Sequence, residues 1–122
     1  MAAPNLISPT TINGKTVYAT PANTSEATLL TNAASSGKAL RLTSLTVANL
    51  GTGAADITVS LYSAATAGTE YRIASTVTVP AYATLVVLGR DSSVWVEEDR
   101  RITVRASAAS AITVVCSYEE VS

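Results

Sequence analysis

Apolar and polar residues alternate with a period of two in several parts of this chain. The clearest example lies in residues 56–63, where Ile57, Val59 and Leu61 are separated by polar residues. The same alternation recurs in three later segments, at residues 76–79, 101–106 and 112–118. Successive side chains of a β-strand point to opposite faces, so this pattern predicts half-buried antiparallel strands with one face exposed to solvent.

One predicted strand changes phase along its length. Leu40 and Leu42 belong to one face, but the apolar series resumes at Leu45 and Val47, one step out of register. A β-bulge near residues 43–44 would explain the slip, and so would a strand that passes from one sheet to the other.

Turn-forming sequences such as Asn13-Gly14 and Pro80-Ala81 interrupt the chain at short intervals. Short strands between closely spaced turns are typical of a sandwich or a barrel. We therefore predict an all-β fold, a single antiparallel β-sandwich of about eight or nine short strands. Periodicity does not specify strand order, so a jelly roll and an immunoglobulin-like sandwich both stay open. The predicted strands are 15–20, 25–32, 39–50, 56–63, 71–79, 84–88, 93–97, 101–106 and 111–119.

The first eleven residues differ from the rest of the chain. Pro4 and Pro9 oppose regular strand pairing and favour an extended backbone, while Leu6 and Ile7 offer apolar contacts. We predict an extended N-terminal arm over residues 1–11. It is either a frayed terminus or a segment that docks on a neighbouring subunit.

Length and composition limit the remaining possibilities. A chain of 122 residues allows one domain, which we place at residues 12–122. Apolar residues make up 48% and charged residues 14%, with a net charge of -1, so the chain has enough apolar surface for a core. The weak charge argues against nucleic-acid binding. No apolar run is long enough to span a membrane and no signal peptide is visible, so we expect assembly inside a cell.

The side chains that carry out enzyme chemistry are scarce. The sequence has no histidine and one cysteine, Cys116, which occupies an apolar alternating position and is expected to be a small buried side chain. Acidic runs at residues 97–99 and 119–120 fall at strand ends, where neighbouring side chains diverge, and we interpret them as solvated charge. We predict no catalytic residues, no metal and no cofactor, and a protein that is not an enzyme.

Two aromatic residues are candidates for partner contact. Trp95 lies between Val94 and Val96, so Trp95 faces outward if the two valines face the core. The alternative is that Trp95 covers the second sheet from inside the sandwich. Tyr82 falls in a predicted turn and should also be exposed. Exposed tryptophan and tyrosine are frequent interface anchors, whereas a sugar-binding module usually needs several aromatics on one platform.

Several segments resemble small structural proteins from the virions of tailed bacteriophages, particularly phages of cyanobacterial and other aquatic hosts. The likeness covers nearly the whole chain. Its longest parts are STVTVPAYATLVVL at residues 75–88 and DSSVWVEED at residues 91–99. Shorter parts lie at residues 4–8, 12–16, 106–110 and 114–120.

The resemblance implies a non-enzymatic structural protein located in the virion and assembled in the host cytoplasm. The resemblance does not fix the position in the virion. Our leading hypothesis is a capsid decoration (cement) protein, a homo-oligomer with a trimer favoured, whose partners are the major capsid protein or other virion proteins. A neck, tail or fibre-associated protein and a carbohydrate-binding module are the alternatives. The residues we expect to contact partners are Pro4, Leu6, Ile7, Pro9, Tyr82 and Trp95.

Overall fold

A computed structural model describes residues 6–122. This part of the chain forms nine β-strands and a short 3₁₀ helix at Arg90–Ser92. All nine strands coincide with predicted ones, to within a few residues at their ends. They are β1 (Ile12–Ala19), β2 (Ala27–Asn32), β3 (Ala39–Asn49), β4 (Ala55–Tyr62), β5 (Glu70–Val79), β6 (Thr84–Leu88), β7 (Val94–Val96), β8 (Arg100–Ala106) and β9 (Ile112–Val121).

The strands form two antiparallel sheets that pack face to face. One sheet has the order β1-β9-β3-β6, with β7 also paired to β3, and the other has the order β2-β8-β4-β5. The predicted all-β sandwich is confirmed. Consecutive strands mostly alternate between the two sheets, which is the strand order of a jelly roll and not that of an immunoglobulin-like sandwich.

The core lies between the two sheets and consists of the inward members of the alternating series. Leu42, Leu45, Ile57, Ile102 and Ile112 are among the largest fully buried side chains. Burying an aliphatic side chain of this size stabilises a fold by about 1.5–3 kcal/mol. The alternating residues between them reach the two outer faces of the sandwich, where contacts with other molecules can form.

The phase change in β3 is a β-bulge. Leu42 pairs with Tyr118 and Ser44 pairs with Ser117, so Thr43 is an extra residue on the β3 side. The Thr43 hydroxyl donates to the Ser117 carbonyl at 3.0 Å, which satisfies part of the interrupted ladder. The whole strand stays in one sheet, so of the two explanations the bulge is correct.

The turn expected at Asn13-Gly14 is absent, because both residues lie inside β1. Asn13 pairs with Glu120 and Gly14 with Glu119. The strand β1 is at the edge of its sheet and bonds only to β9. An edge strand has a neighbour on one side only, so it tolerates residues of low strand propensity. A Cβ added to Gly14 would meet no atom within 4 Å.

Two buried asparagines link the two sheets. Asn32, at the end of β2, donates from Nδ2 to the carbonyl of Val96 in the opposite sheet at 3.0 Å. Asn49, at the end of β3, donates in the same way to the carbonyl of Val79 at 2.9 Å. Each amide also bonds a carbonyl in its own following loop. Sequence patterning did not reveal these links, because asparagine at a strand end usually indicates only a turn.

The predicted arm is described only from residue 6 onward, so Pro4 lies outside the described residues. Leu6 and Ile7 are exposed and Pro9 is half-buried. Pairing with the body of the protein begins at Thr11, which exchanges two backbone hydrogen bonds with Ser122, at 3.0 and 2.9 Å. The boundary between arm and domain at residues 11 and 12 stays a prediction.

Candidate interaction surface

Cross-strand pairing lines up four outward side chains on the five-stranded sheet. Tyr18 of β1 pairs with Val115 of β9, Val115 pairs with Thr46 of β3, and Thr46 pairs with Val86 of β6. We call this set the Tyr18 row. Tyr18 is 74% exposed and Val86 60% exposed. A continuous row with an aromatic ring and two valines is an unusual amount of apolar surface for the wet face of a sheet.

Hydroxyl groups flank the Tyr18 row on both sides. The hydroxyls of Thr16 and Ser117 are 3.3 Å apart, and those of Thr20 and Thr113 are 3.0 Å apart. These groups satisfy one another across the strands and carry no charge. The surface around the Tyr18 row can therefore be covered by another protein without the large cost of removing ions from water.

A second row crosses the same face near the start of β3. Gly14 pairs with Glu119, Glu119 pairs with Arg41, and Arg41 pairs with Trp95 of β7. We call this set the Trp95 row. Arg41 Nη1 lies 3.4 Å from Glu119 Oε1. Trp95 is 40% exposed while Val96 is fully buried, so Trp95 points outward and does not fill the sandwich from inside. Its role in partner contact stays a prediction.

The structure does not bring the two predicted aromatic contacts together. Tyr82 is 72% exposed, but it lies in the turn before β6. In that turn the Ala83 carbonyl accepts a hydrogen bond from the backbone N–H of Asn49, at the end of β3. Trp95 pairs with Arg41, eight residues earlier on β3, a distance of about 26 Å along the strand. A sugar-binding platform built from both rings is therefore not formed.

The outer face of the four-stranded sheet has a different character, because a carboxylate there accepts hydrogen bonds from neighbouring hydroxyls and an arginine lies over an aromatic ring. The Glu26 carboxylate accepts from Tyr62 Oη at 2.8 Å and from Thr103 Oγ1 at 2.9 Å. The hydrogen bond to Glu26 raises the pKa of Tyr62. The Arg101 guanidinium lies 3.8 Å from the centre of the Tyr62 ring. Covering this face would disturb a network that is already satisfied, so it is the less suitable of the two for docking.

Glu120 differs from the solvated charge expected for the acidic pair at residues 119–120. Its carboxylate is held between Lys15 Nζ at 3.0 Å and Lys38 Nζ at 3.3 Å, and its side chain is mostly buried. The hydrogen bond from Lys15, together with the one from Lys38, lowers the pKa of Glu120. This cluster lies beside the start of β1 and β3 and joins the edge strand to the body of the sheet.

Cys116 is fully buried between the sheets, as the alternation predicted. Burial raises the pKa of its thiol to about 11, so it is neither an accessible nucleophile nor a ready partner for a disulfide. Within residues 6–122, no three side chains of histidine, cysteine, aspartate or glutamate are grouped closely enough to hold a metal ion. In the same part of the chain no helix has the length and apolar character needed to cross a membrane.

No protein-family model and no curated protein matches this chain. Among solved structures, it is similar to a protein from the study "Bacillus endospore appendages form a novel family of disulfide-linked pili". The TM-score is 0.57 at 18% sequence identity, over 92% of this chain and 87% of that one. At this identity the likeness shows a common fold. The chain is thus a small jelly-roll sandwich with one partly apolar outer face, on which Arg41 and Glu119 form an ion pair.

Proposed function

We propose that this protein is a non-enzymatic structural subunit, and specifically a capsid decoration (cement) protein in the virion of a tailed phage. The observation that carries the structural role is the outer face of the five-stranded sheet, with its Tyr18 row and flanking hydroxyls. The sequence resemblance to phage virion proteins supports the particular setting. Assembly in the host cytoplasm and residence in the virion belong to the same proposal.

The structural neighbour supports a role in assembly, since it comes from pili, which are built from repeated subunits. Those pili are described as disulfide-linked. Here the one cysteine in the sequence, Cys116, is enclosed between the sheets. A link through Cys116 would require the sandwich to open, so we propose that this subunit assembles through non-covalent contacts.

We propose that three parts of the surface make different contacts. The arm leaves the body where Thr11 pairs with Ser122, next to the start of β3, and Tyr82 lies near the end of β3. Trp95 and the Tyr18 row lie on the sheet face between these ends. We propose that these surfaces hold copies of the protein together, with a trimer favoured, and attach them to the major capsid protein. Many weak contacts of this kind gain strength through repetition.

The decisive experiment is to count the copies of this protein in purified virions by quantitative mass spectrometry against the major capsid protein. A ratio near unity would support decoration of the head lattice. A few copies up to a few dozen would place the protein in the neck, tail or fibres. Absence from purified particles would overturn the virion proposal.

The second candidate, a fibre-associated or filament-forming subunit, is favoured by the structural neighbour alone. Negative-stain electron microscopy of the purified protein at high concentration tests it. Filaments of regular width would favour this candidate, whereas discrete small particles would favour decoration.

A further inference from the structure

The Trp95 row is complementary to itself when it is read backwards. From β1 to β7 the row is Gly14, Glu119, Arg41 and Trp95. Gly14 has no side chain, Glu119 is negatively charged, Arg41 is positively charged, and Trp95 carries a large ring. In a reversed copy laid on the first, Trp95 meets Gly14 of the second copy and Arg41 meets Glu119 of the second copy. A ring would fill the space that glycine leaves open, and each charge would face its opposite.

The Tyr18 row shows the same property on the same face. Reversal places Tyr18 over Val86 of the second copy and Val115 over Thr46 of the second copy. Each large side chain then meets a smaller one, which keeps the gap between the two sheets even. Two rows on one face are thus satisfied by one operation.

That operation is a twofold rotation about an axis that lies between the two faces and runs along the strands. It reverses every row while it keeps each row opposite itself. A twofold axis along the rows would instead place Tyr18 on Tyr18 and Val86 on Val86 of the second copy, opening a wedge between the sheets. Packed sheets are usually aligned within about 30°, so the first arrangement falls within ordinary sandwich geometry.

The size of the face is adequate for a specific contact. Four strands about 4.8 Å apart give the face a width of roughly 19 Å. Along the strands, the seven residues from 14 to 20 cover roughly 23 Å at about 3.3 Å per residue. Two such faces cover about 870 Å² together, slightly less than the approximately 1,000 Å² expected of a biological interface. Trp95 and the long side chains add to this area.

We propose that a second copy of this chain docks on the outer face of the five-stranded sheet by this twofold axis, pairing Arg41 with Glu119 of the second copy. The inference rests on the proposed function, because it names one self-contact of the structural subunit. It is compatible with a threefold ring formed through the arm, since the two contacts use different surfaces. The product is a dimer alone, or a hexamer if trimers also form.

A charge exchange between two variants tests the pairing. In Arg41→Glu the interface would place the new carboxylate against Glu119 of the second copy, and in Glu119→Arg it would place two arginines together. We expect each variant alone to associate at least about tenfold more weakly than the wild type. An equimolar mixture restores opposite charges at both contacts, so association should return. Sedimentation velocity measures all three samples.

A matched control and an independent variant keep the test decisive. Arg72→Glu reverses the charge of another ion-paired, similarly exposed arginine, but on the four-stranded sheet, and should leave association unchanged. Val86→Lys disrupts the Tyr18 row away from the ion pair and should weaken association. Circular dichroism melts check that each variant is folded.

Trp95 supplies a second readout, because it is the one tryptophan in the sequence. Its fluorescence should shift to the red on dilution, as the ring loses the cover of the second copy. A wild type that stays a monomer or a trimer at all concentrations would overturn the pairing, as would a mixture of the two charge variants that stays dissociated. Neither result touches the virion count, so a failure of the pairing is distinct from a failure of the proposed function.

Discussion

Replacing Asn49 with alanine should be among the most destabilising polar substitutions in this fold. Asn49 is 1% exposed, and its side chain makes three hydrogen bonds to the backbone. Nδ2 donates to the carbonyls of Gly53 and Val79, both at 2.9 Å, and Oδ1 accepts from the amide of Gly51 at 2.9 Å. Alanine removes all three and severs the link between the sheets.

The three lost bonds do not cost the same. Val79 is fully buried, so its carbonyl cannot bond water instead, and leaving it unpaired costs about 1–3 kcal/mol. Gly51 and Gly53 lie in a loop that water reaches, so these bonds cost only their net value of about 0.5–1.5 kcal/mol each. The expected loss is therefore about 2–6 kcal/mol, out of the roughly 5–15 kcal/mol that stabilise a domain of this kind.

Guanidinium unfolding, followed by circular dichroism, measures this loss directly. Asn49→Asp separates the two halves of the amide, because it keeps the oxygen that accepts from Gly51 but turns a second oxygen toward two carbonyls. It should be at least as destabilising as alanine at neutral pH. Asn23→Ala is the control, since the Asn23 side chain accepts one bond from the Ser25 amide in an exposed turn. That variant should lose no more than about 1 kcal/mol.

The reasoning fails if Asn49→Ala unfolds within about 1 kcal/mol of the Asn23→Ala control. Asn32→Ala repeats the experiment at the other link, where Nδ2 donates to the buried strand residue Val96. If both asparagine variants are as stable as the control, packing alone holds the two sheets together and the amide links are incidental.

Other parts of the molecule give three further expectations. Cys116 should react with a thiol reagent only as fast as the protein opens, because burial raises its pKa to about 11; rapid labelling of the native protein would contradict this. Glu120→Gln should remove the two lysine ion pairs and lower stability by at most about 1 kcal/mol at pH 7. Because these pairs lower the pKa of Glu120, the extra stability of the wild type is complete above pH 4.5, the ordinary pKa of a glutamate. It disappears as the pH falls through the lowered pKa of the folded state. Identical curves of stability against pH for the two proteins would refute this. Deleting residues 2–10 should leave the melting temperature nearly unchanged, since pairing begins at Thr11, but weaken assembly; an unfolded product would show that the arm belongs to the core.

Alternation was sufficient to predict where the strands are and which way their side chains point. The series through Ile57 and Val59 reaches the core as expected, and the slip between Leu42 and Leu45 marks the bulge at Thr43. The same argument oriented Trp95 from its two valine neighbours. These features are local, because a strand's pleat fixes the direction of each side chain relative to the next.

Features that depend on which strands are neighbours could not be predicted in this way. Tyr18 and Val86 are far apart in sequence, and only the order β1-β9-β3-β6 places them in one row. The same is true of Asn49, whose polar side chain is buried because a carbonyl from the other sheet accepts its hydrogen bond. Asn13-Gly14 was misassigned as a turn because edge strands tolerate residues that central strands do not.

The contrast between the two outer faces has a consequence for assembly. On the four-stranded sheet, Glu26 and Glu70 accept hydrogen bonds from neighbouring hydroxyls, and the bond from Ser60 lowers the pKa of Glu70. Covering these carboxylates would cost desolvation without supplying bonds they lack. The other face presents mainly hydroxyls and the Tyr18 row, which lose little when water leaves, and its one ion pair, Arg41–Glu119, meets opposite charges in the proposed contact. In the proposed assembly the subunit associates through the five-stranded sheet and keeps the four-stranded sheet toward water. Such assemblies should stop at closed pairs or single layers and not stack without limit.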